Sequence, residues 1–155
     1  MLTIGDLAPN ITSPNQYEKS VSLKDYQGLK NVVLYFYPKD DTPGCTIEAN
    51  DFTKLATDFA AANSVVIGVS KDDCTSHQAF IDKFGLKVDL LADTTGEVCD
   101  AFGVWQLKET NGVSKMGIVR STFVINKEGK IVYAEYGVTP DGHAAQMLNI
   151  VKELV

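Results

Sequence analysis

The sequence predicts an α/β fold in which a mixed central sheet is flanked by helices on both faces. Three observations carry this reading. The apolar, β-branched runs 31–37 and 64–70 have the length and composition of strands buried on both sides. A stretch of helical spacing separates them, so they should lie parallel and close together. Asn126-Lys127-Glu128-Gly129, between two further β-rich runs, signals a hairpin that adds antiparallel strands. The predicted order is β-α-β-α-β-α-β-β-α.

Residues 3–25 are extended and turn-rich. Pro9 and Ser13-Pro14-Asn15 interrupt short strands near Ile11-Thr12 and Val21-Ser22, and Ser22–Asp25 fits a brief helical turn. This lead reads as an N-terminal hairpin extension covering one side of the sheet. Pro38 stops the first long strand. Thr42 then fits a helix N-cap, and Pro43 the first helical position, where a missing amide is harmless. Ala49, Phe52, Leu55, Ala56, Phe59 and Ala60 recur at helical spacing, which carries the helix to about Ala62. Cys45 and Phe52 are seven apart and share a face, so the thiol points towards the sheet.

The run 64–70 ends at Lys71-Asp72-Asp73. A helix over 75–84 follows, with Phe80, Ile81 and Phe84 inward and Gly85 as its C-cap. Leu90-Leu91-Ala92 is a short strand. The next helix is short and sets Val98, Ala101 and Phe102 on one side. Strands over 120–125 and 130–136 flank the hairpin turn. The last helix, about Gly142 to Leu154, faces Ala145, Leu148, Val151 and Leu154 inward. Both long strands end where helices begin, which brings loops 38–45 and 71–75 to one sheet edge. Ligands of α/β folds bind at that edge.

The 155 residues suffice for one domain, 1–155, with a full core. A net charge of −6 argues against a nucleic-acid or anionic-membrane surface. No apolar run approaches the roughly 18 residues that span a bilayer, and Met1–Asp6 lacks both parts of a secretory signal. Cys45, Cys74 and Cys99 are an odd number at wide spacing. They form no structural disulfide set and suit a reducing, cytoplasmic compartment. His77 and His143 lack zinc spacing and there is no phosphate loop, so no cofactor or metal is expected. His77 either faces the active edge or is packed or exposed without function. Trp105 is either an exposed aromatic near an opening or is buried against the short helix.

Cys45 carries the chemistry. At the third position of a helix it meets unpaired backbone N–H groups and the positive end of the helix dipole, and both stabilise a thiolate. Arg120, at the start of a strand, can reach in and add a cation. Thr42, one turn earlier, offers a hydroxyl to a substrate oxygen. The bland alternative is a small buried cysteine.

Pro38-x-x-x-Thr42-x-x-Cys45 resembles the active-site signature of the peroxiredoxins. The longer stretch Phe36–Thr46 is similar to their bacterioferritin-comigratory, or Q-type, subfamily. The likeness continues through Gly68-Val69-Ser70, Ser76-His77, Phe84-Gly85, Ala101–Val104 and Arg120–Phe123. It implies a thioredoxin-like fold and thiol-dependent reduction of hydrogen peroxide and organic hydroperoxides. Cys45 would be the peroxidatic cysteine, Thr42 and Arg120 would bind and polarise the peroxide, and Pro38 would shield the sulfur. Glu48 would orient Arg120, the alternative being an ordinary solvent-facing glutamate. Many Q-type members carry a resolving cysteine at the position of Asn50, and others at that of Ile81; both are empty here. Cys74, beside the Cys45 loop, is the better remaining candidate for a resolving cysteine. Cys99 reads better as a buried structural residue. Otherwise thioredoxin, glutaredoxin or a small thiol attacks the sulfenic acid directly. Resemblance also implies a monomer.

Two rivals remain on the same fold. A thiol–disulfide oxidoreductase wants Cys-x-x-Cys, which Thr42-Pro43-Gly44-Cys45 does not supply. A non-catalytic, chaperone-like binding protein would keep the fold without needing the thiol.

Overall fold

A computed structural model describes residues 1–154. At its centre is β3 (Asn31–Phe36), in which every residue is buried. Side chains alternate along a strand, so Val33 and Tyr35 enter one core while Val32, Leu34 and Phe36 enter the other. This explains why the run is apolar without a gap. β4 (Ser64–Ser70) and then β5 (Asp89–Ala92) extend the sheet in parallel on one side; β8 (Ser121–Ile125) and β9 (Ile131–Tyr136) extend it antiparallel on the other. The mixed sheet has the predicted character.

The first core is covered by α1 (Pro43–Lys54), α2 (Ala56–Ala61), α3 (Cys74–Phe84) and α5 (His143–Lys152). The second lies under α4 (Glu97–Ala101) and the N-terminal hairpin, β1 (Thr12–Pro14) with β2 (Ser20–Ser22), which contributes Val21. The lead also guards a sheet edge. Gln16 donates to Asp89 Oδ1 at 3.0 Å and accepts from the Leu90 N–H at 3.0 Å, occupying groups that β5 would otherwise offer to another chain.

Four details differ from the sequence reading. The helix expected to reach Ala62 breaks at Leu55, whose N–H bonds back to Phe52 and Thr53, and α2 starts afresh. The break lets Phe59 return to Phe52, with ring centroids 5.7 Å apart. On α5 the inward face is His143, Ala144, Met147, Leu148 and Val151, and Ala145 is exposed. On α4 the buried pair is Val98 and Cys99, while Ala101 is exposed.

The fourth is a hairpin, β6 (Trp105–Thr110) with β7 (Val113–Ile118). Its signal was present: Asn111 and Gly112 have φ of 54° and 77°, the two left-handed residues of a type I′ turn. The strands are largely polar and exposed, so hydrophobic periodicity does not reveal them. Among the described residues no helix is long and apolar enough to cross a membrane.

Candidate active site

Cys45 sits at the third position of α1, as its sequence context predicts, and is 2% exposed. Thr42 is the N-cap with extended backbone, φ −107° and ψ 157°, and Pro43 opens the helix. The Thr42 hydroxyl does not cap the helix. It donates to the Lys39 carbonyl at 2.9 Å, and its carbonyl accepts the first helical bond from Thr46 at 2.8 Å.

Arg120 reaches this turn because of strand register. Phe36 pairs with Ser121, so Arg120 lies one step beyond the end of β3. Its carbonyl is held by the N–H groups of Gly137 at 2.9 Å and Val138 at 2.8 Å. The guanidinium then forks, with Nη2 donating to Cys45 Sγ at 3.2 Å and Nη1 to Glu48 Oε1 at 2.7 Å. The planar fork spans two partners at once, which a lysine cannot do. Gly44 permits the approach: a Cβ there would meet Arg120 Nη2 at 3.1 Å and Pro140 Cγ at 3.5 Å.

Glu48 is fully buried, not solvent-facing. Its Oε2 and the Tyr35 hydroxyl are the two buried side-chain polar atoms without a hydrogen-bond partner among the described residues. Burial pushes the Glu48 carboxyl up to about 7, with Arg120 pulling it back down and Asp51 adding to the rise. Tyr35, stacked on Phe52 at 4.8 Å, is pushed well above the usual phenol range, by burial first and by the charges of Glu48 and Cys45 next. His143 lies edge-on to Phe52 and shares a hydrogen bond with the Thr122 hydroxyl at 2.8 Å. Burial lowers its basicity, Glu135 opposes, and Arg120 adds to the fall.

A pH effect on stability follows from Glu48. Because its folded value lies above the ordinary 4.5, the native state binds more protons than the unfolded chain between about 4.5 and about 7. The stability this group contributes is full below that window and is lost as pH rises through about 7, by up to roughly 3 kcal/mol. Thermal melts at pH 5 and pH 8 should therefore separate the wild type by several degrees more than Glu48→Gln. Equal separation in both would refute the assignment.

The other sequence candidates fall outside this cluster. Pro38 is exposed and lines a groove of about 540 Å³ with Lys71, Trp105, Met116 and Ile118. Trp105 is half-buried in that groove, with Lys71 Nζ 4.0 Å from its ring centroid. Cys74 is half-buried in a different groove, with Gln16, Glu18 and Gln78. Its thiol is raised by burial, then by Glu18 and Asp73, which disfavours a thiolate. Cys99 is fully buried, and Asp93 accepts from its N–H at 2.8 Å. Burial and Asp93 push that thiol far above the ordinary range. All three cysteines are free.

Sequence reasoning missed a second buried cluster beside the loop. Asp40 accepts hydrogen bonds from the hydroxyls of Tyr37 at 2.6 Å and Ser76 at 2.7 Å, and faces His77 Nδ1 at 2.7 Å. No local pattern marks Asp40 as buried, since its partners on α3 lie more than 35 residues away.

Comparison with known proteins agrees with this geometry. The model of the AhpC/TSA family matches residues 4–134. Peroxiredoxin Bcp of Bacillus subtilis is 42% identical over 153 residues, which is 99% of this chain and 97% of that one. Peroxiredoxin Bcp of Escherichia coli is 37% identical over 152 residues, covering 98% and 97%. Among solved structures, a mutant of Xylella fastidiosa PrxQ superposes with a TM-score of 0.92 at 37% identity, over 99% of this chain and 98% of that one. A Xanthomonas campestris bacterioferritin comigratory protein, described in connection with alkyl peroxide reduction, gives 0.88 at 36%, over 93% and 91%. The chain belongs to the AhpC/TSA family and, within it, to the Bcp or PrxQ peroxiredoxins, so its thioredoxin-like fold serves a thiol-dependent peroxidase.

Proposed function

We propose that Cys45 is the residue on which peroxide is reduced, and that Arg120, Thr42, Glu48 and Pro38 are its supporting groups. The observation that carries this is the Arg120 fork, which holds Cys45 Sγ and Glu48 Oε1 together. The Cys45 thiolate attacks the nearer peroxide oxygen. An S–O bond forms, the O–O bond breaks, and its electron pair leaves with the second oxygen, which takes a proton to become water or an alcohol. Arg120 donates to the charge developing on the departing oxygen. The Thr42 hydroxyl, its own proton directed at Lys39, offers lone pairs to the peroxide proton. Glu48 positions Arg120. Pro38, between the loop and the adjoining groove, limits access of bulk water.

The sulfenic acid on Cys45 is then reduced by an external thiol: thioredoxin, glutaredoxin or a small thiol. One thiol forms a mixed disulfide and releases water, and a second restores the Cys45 thiol. The groove holding Cys74 includes neither Cys45 nor its loop, which favours this cycle over a Cys45–Cys74 disulfide. The enzyme works on hydrogen peroxide and organic hydroperoxides, as one monomeric domain spanning 1–155, in a reducing cytoplasm.

One equivalent of hydrogen peroxide followed by peptide mapping tests this. We expect a gain of about 16 Da on the Cys45 peptide, replaced by a dimedone thioether at the same residue, with release of water, when dimedone is present. A Cys45–Cys74 disulfide would overturn the one-cysteine cycle, and oxidation confined to Cys74 or Cys99 would overturn the site.

A further inference from the structure

The groove beside Pro38 carries a cost that the peroxide step does not explain. In the β6–β7 register Lys108 stands directly opposite Lys115. Directly opposed like charges on one face of an antiparallel pair destabilise it. This hairpin has little burial to offset that cost, since most of β7 is exposed. Lys71, just past the end of β4, supplies a third cation to the same groove. Among the described residues no aspartate or glutamate lines it, and none of the three lysines makes an ion pair. In a chain with 20 acidic and 14 basic residues, this is a local concentration of positive charge.

Two of the lysines are held in place. Lys108 Nζ donates to the Ile118 carbonyl at 2.9 Å. Its stem lies against Gly117, where an added Cβ would meet Lys108 Cδ at 3.0 Å, so glycine keeps room for it. Lys71 Nζ lies 4.0 Å from the Trp105 ring centroid. Trp105, Val113, Met116 and Ile118 give the groove an apolar lining between the cations. Its volume of about 540 Å³ is that of a small-molecule site. A protein partner would instead need a broad face, about 800 Å² a side.

The groove adjoins the active site through two of its walls. Pro38 opens the loop that leads to Cys45, and Ile118 is two residues ahead of Arg120, whose Nη2 donates to Cys45 Sγ at 3.2 Å. An occupant there is placed to react at the sulfur. Hydrogen peroxide and simple alkyl hydroperoxides are uncharged and gain nothing from three lysines. A thiol that carries carboxylates gains twice. Its carboxylates are drawn to the cations, which raises its local concentration. The same field favours its thiolate, the form that attacks.

We propose that the groove of Lys71, Lys108 and Lys115 binds the reductant, and that this reductant is a small thiol bearing carboxylates. The proposal rests on the external-thiol cycle above and selects among its candidates. The bound thiolate attacks the Cys45 sulfur of the sulfenic acid. An S–S bond forms, the S–O bond breaks, and the hydroxide that leaves takes a proton to become water. A second molecule of the same thiol then attacks the mixed disulfide on the sulfur of the first. It releases the Cys45 thiolate and the symmetrical disulfide.

The test times the thiol step alone, on protein whose Cys45 has been oxidised with one equivalent of hydrogen peroxide. Mercaptosuccinate, mercaptoethanol and cysteamine supply a dianionic, a neutral and a cationic frame, and each rate is normalised to that thiol's reaction with a small disulfide. At low salt we expect mercaptosuccinate to lead mercaptoethanol by about tenfold or more, within the range of electrostatic steering, and cysteamine to trail. The lead should shrink as salt rises. Combining Lys108→Gln with Lys115→Gln should erase most of it. Lys115→Glu should turn the preference towards cysteamine. These variants should melt no lower than wild type, because each relieves the Lys108–Lys115 repulsion. Trp105 is the single tryptophan of the chain, so its fluorescence reports the groove without any reaction. S-methyl mercaptosuccinate should change it saturably in reduced wild type and far less in the double lysine variant.

Equal normalised rates for the three thiols, or a lead that survives the double variant, would overturn the proposal. So would a lysine-dependent advantage confined to an acidic protein dithiol or to carboxylated hydroperoxides, which would assign the groove to another reactant. If peptide mapping placed the oxidation on a different cysteine, the Cys45 reading would fall, while the Trp105 titration would still decide whether the groove binds the anion.

Discussion

Cys45→Ser should reduce peroxide turnover by at least about three orders of magnitude, to the background of the free thiol, with the fold intact. Serine is nearly isosteric, so the 2%-exposed site keeps its shape, and its hydroxyl can accept the Arg120 Nη2 bond in place of sulfur. What is lost is the nucleophile: a hydroxyl beside Arg120 has no base to activate it. Cys74→Ser and Cys99→Ser should leave turnover within about twofold, since both thiols are held away from the thiolate form. Peroxide consumption with excess dithiothreitol measures all three. Unchanged turnover in Cys45→Ser would remove Cys45 from the chemistry and favour a binding role.

Arg120→Met should have the next largest effect, and on two quantities at once. Losing one donor aimed at developing charge typically lowers the rate about 10²- to 10³-fold. The same change leaves the Glu48 carboxylate, 0% exposed, without its cation, which costs on the order of 3 to 5 kcal/mol if the charge is retained. Adding Glu48→Gln to Arg120→Met should restore much of the stability and none of the rate. Arg120→Lys keeps the charge but reaches one partner, so its rate should fall between the wild type and Arg120→Met. Denaturant melts give the stabilities, and single-turnover oxidation of Cys45 gives the rates. Recovery of rate in the double variant would show that Arg120 serves the fold and not the peroxide.

Much of the fold was legible because its signals are local. β3 could be recognised from five adjacent apolar residues, Val32–Phe36, and the start of α1 from Thr42 and Pro43. The end of that helix was not, because the break at Leu55 serves packing between Phe52 and Phe59. The β6–β7 hairpin escaped for the opposite reason: its turn was written in Asn111-Gly112, but its strands bury too little to show alternation. Glu48 illustrates the limit within the site. As a residue type on a helix it left open both a partner of Arg120 and a solvent-facing glutamate, and only the arrival of Arg120 lets it be buried.

The sequence by itself determined a cysteine at a helix start, at the end of a buried strand, in a chain with no second cysteine at the usual positions. Those facts depend on neighbours within one or two turns of the chain. The tertiary structure decided what surrounds the sulfur. Arg120 is 75 residues from Cys45 and meets it through the β3–β8 register; Asp40 meets His77 across 37 residues because α3 packs beside the loop. Burial, and with it the protonation of Glu48, comes from that packing. A carboxylate or imidazole takes its charge state from its three-dimensional surroundings, and sequence spacing does not encode them.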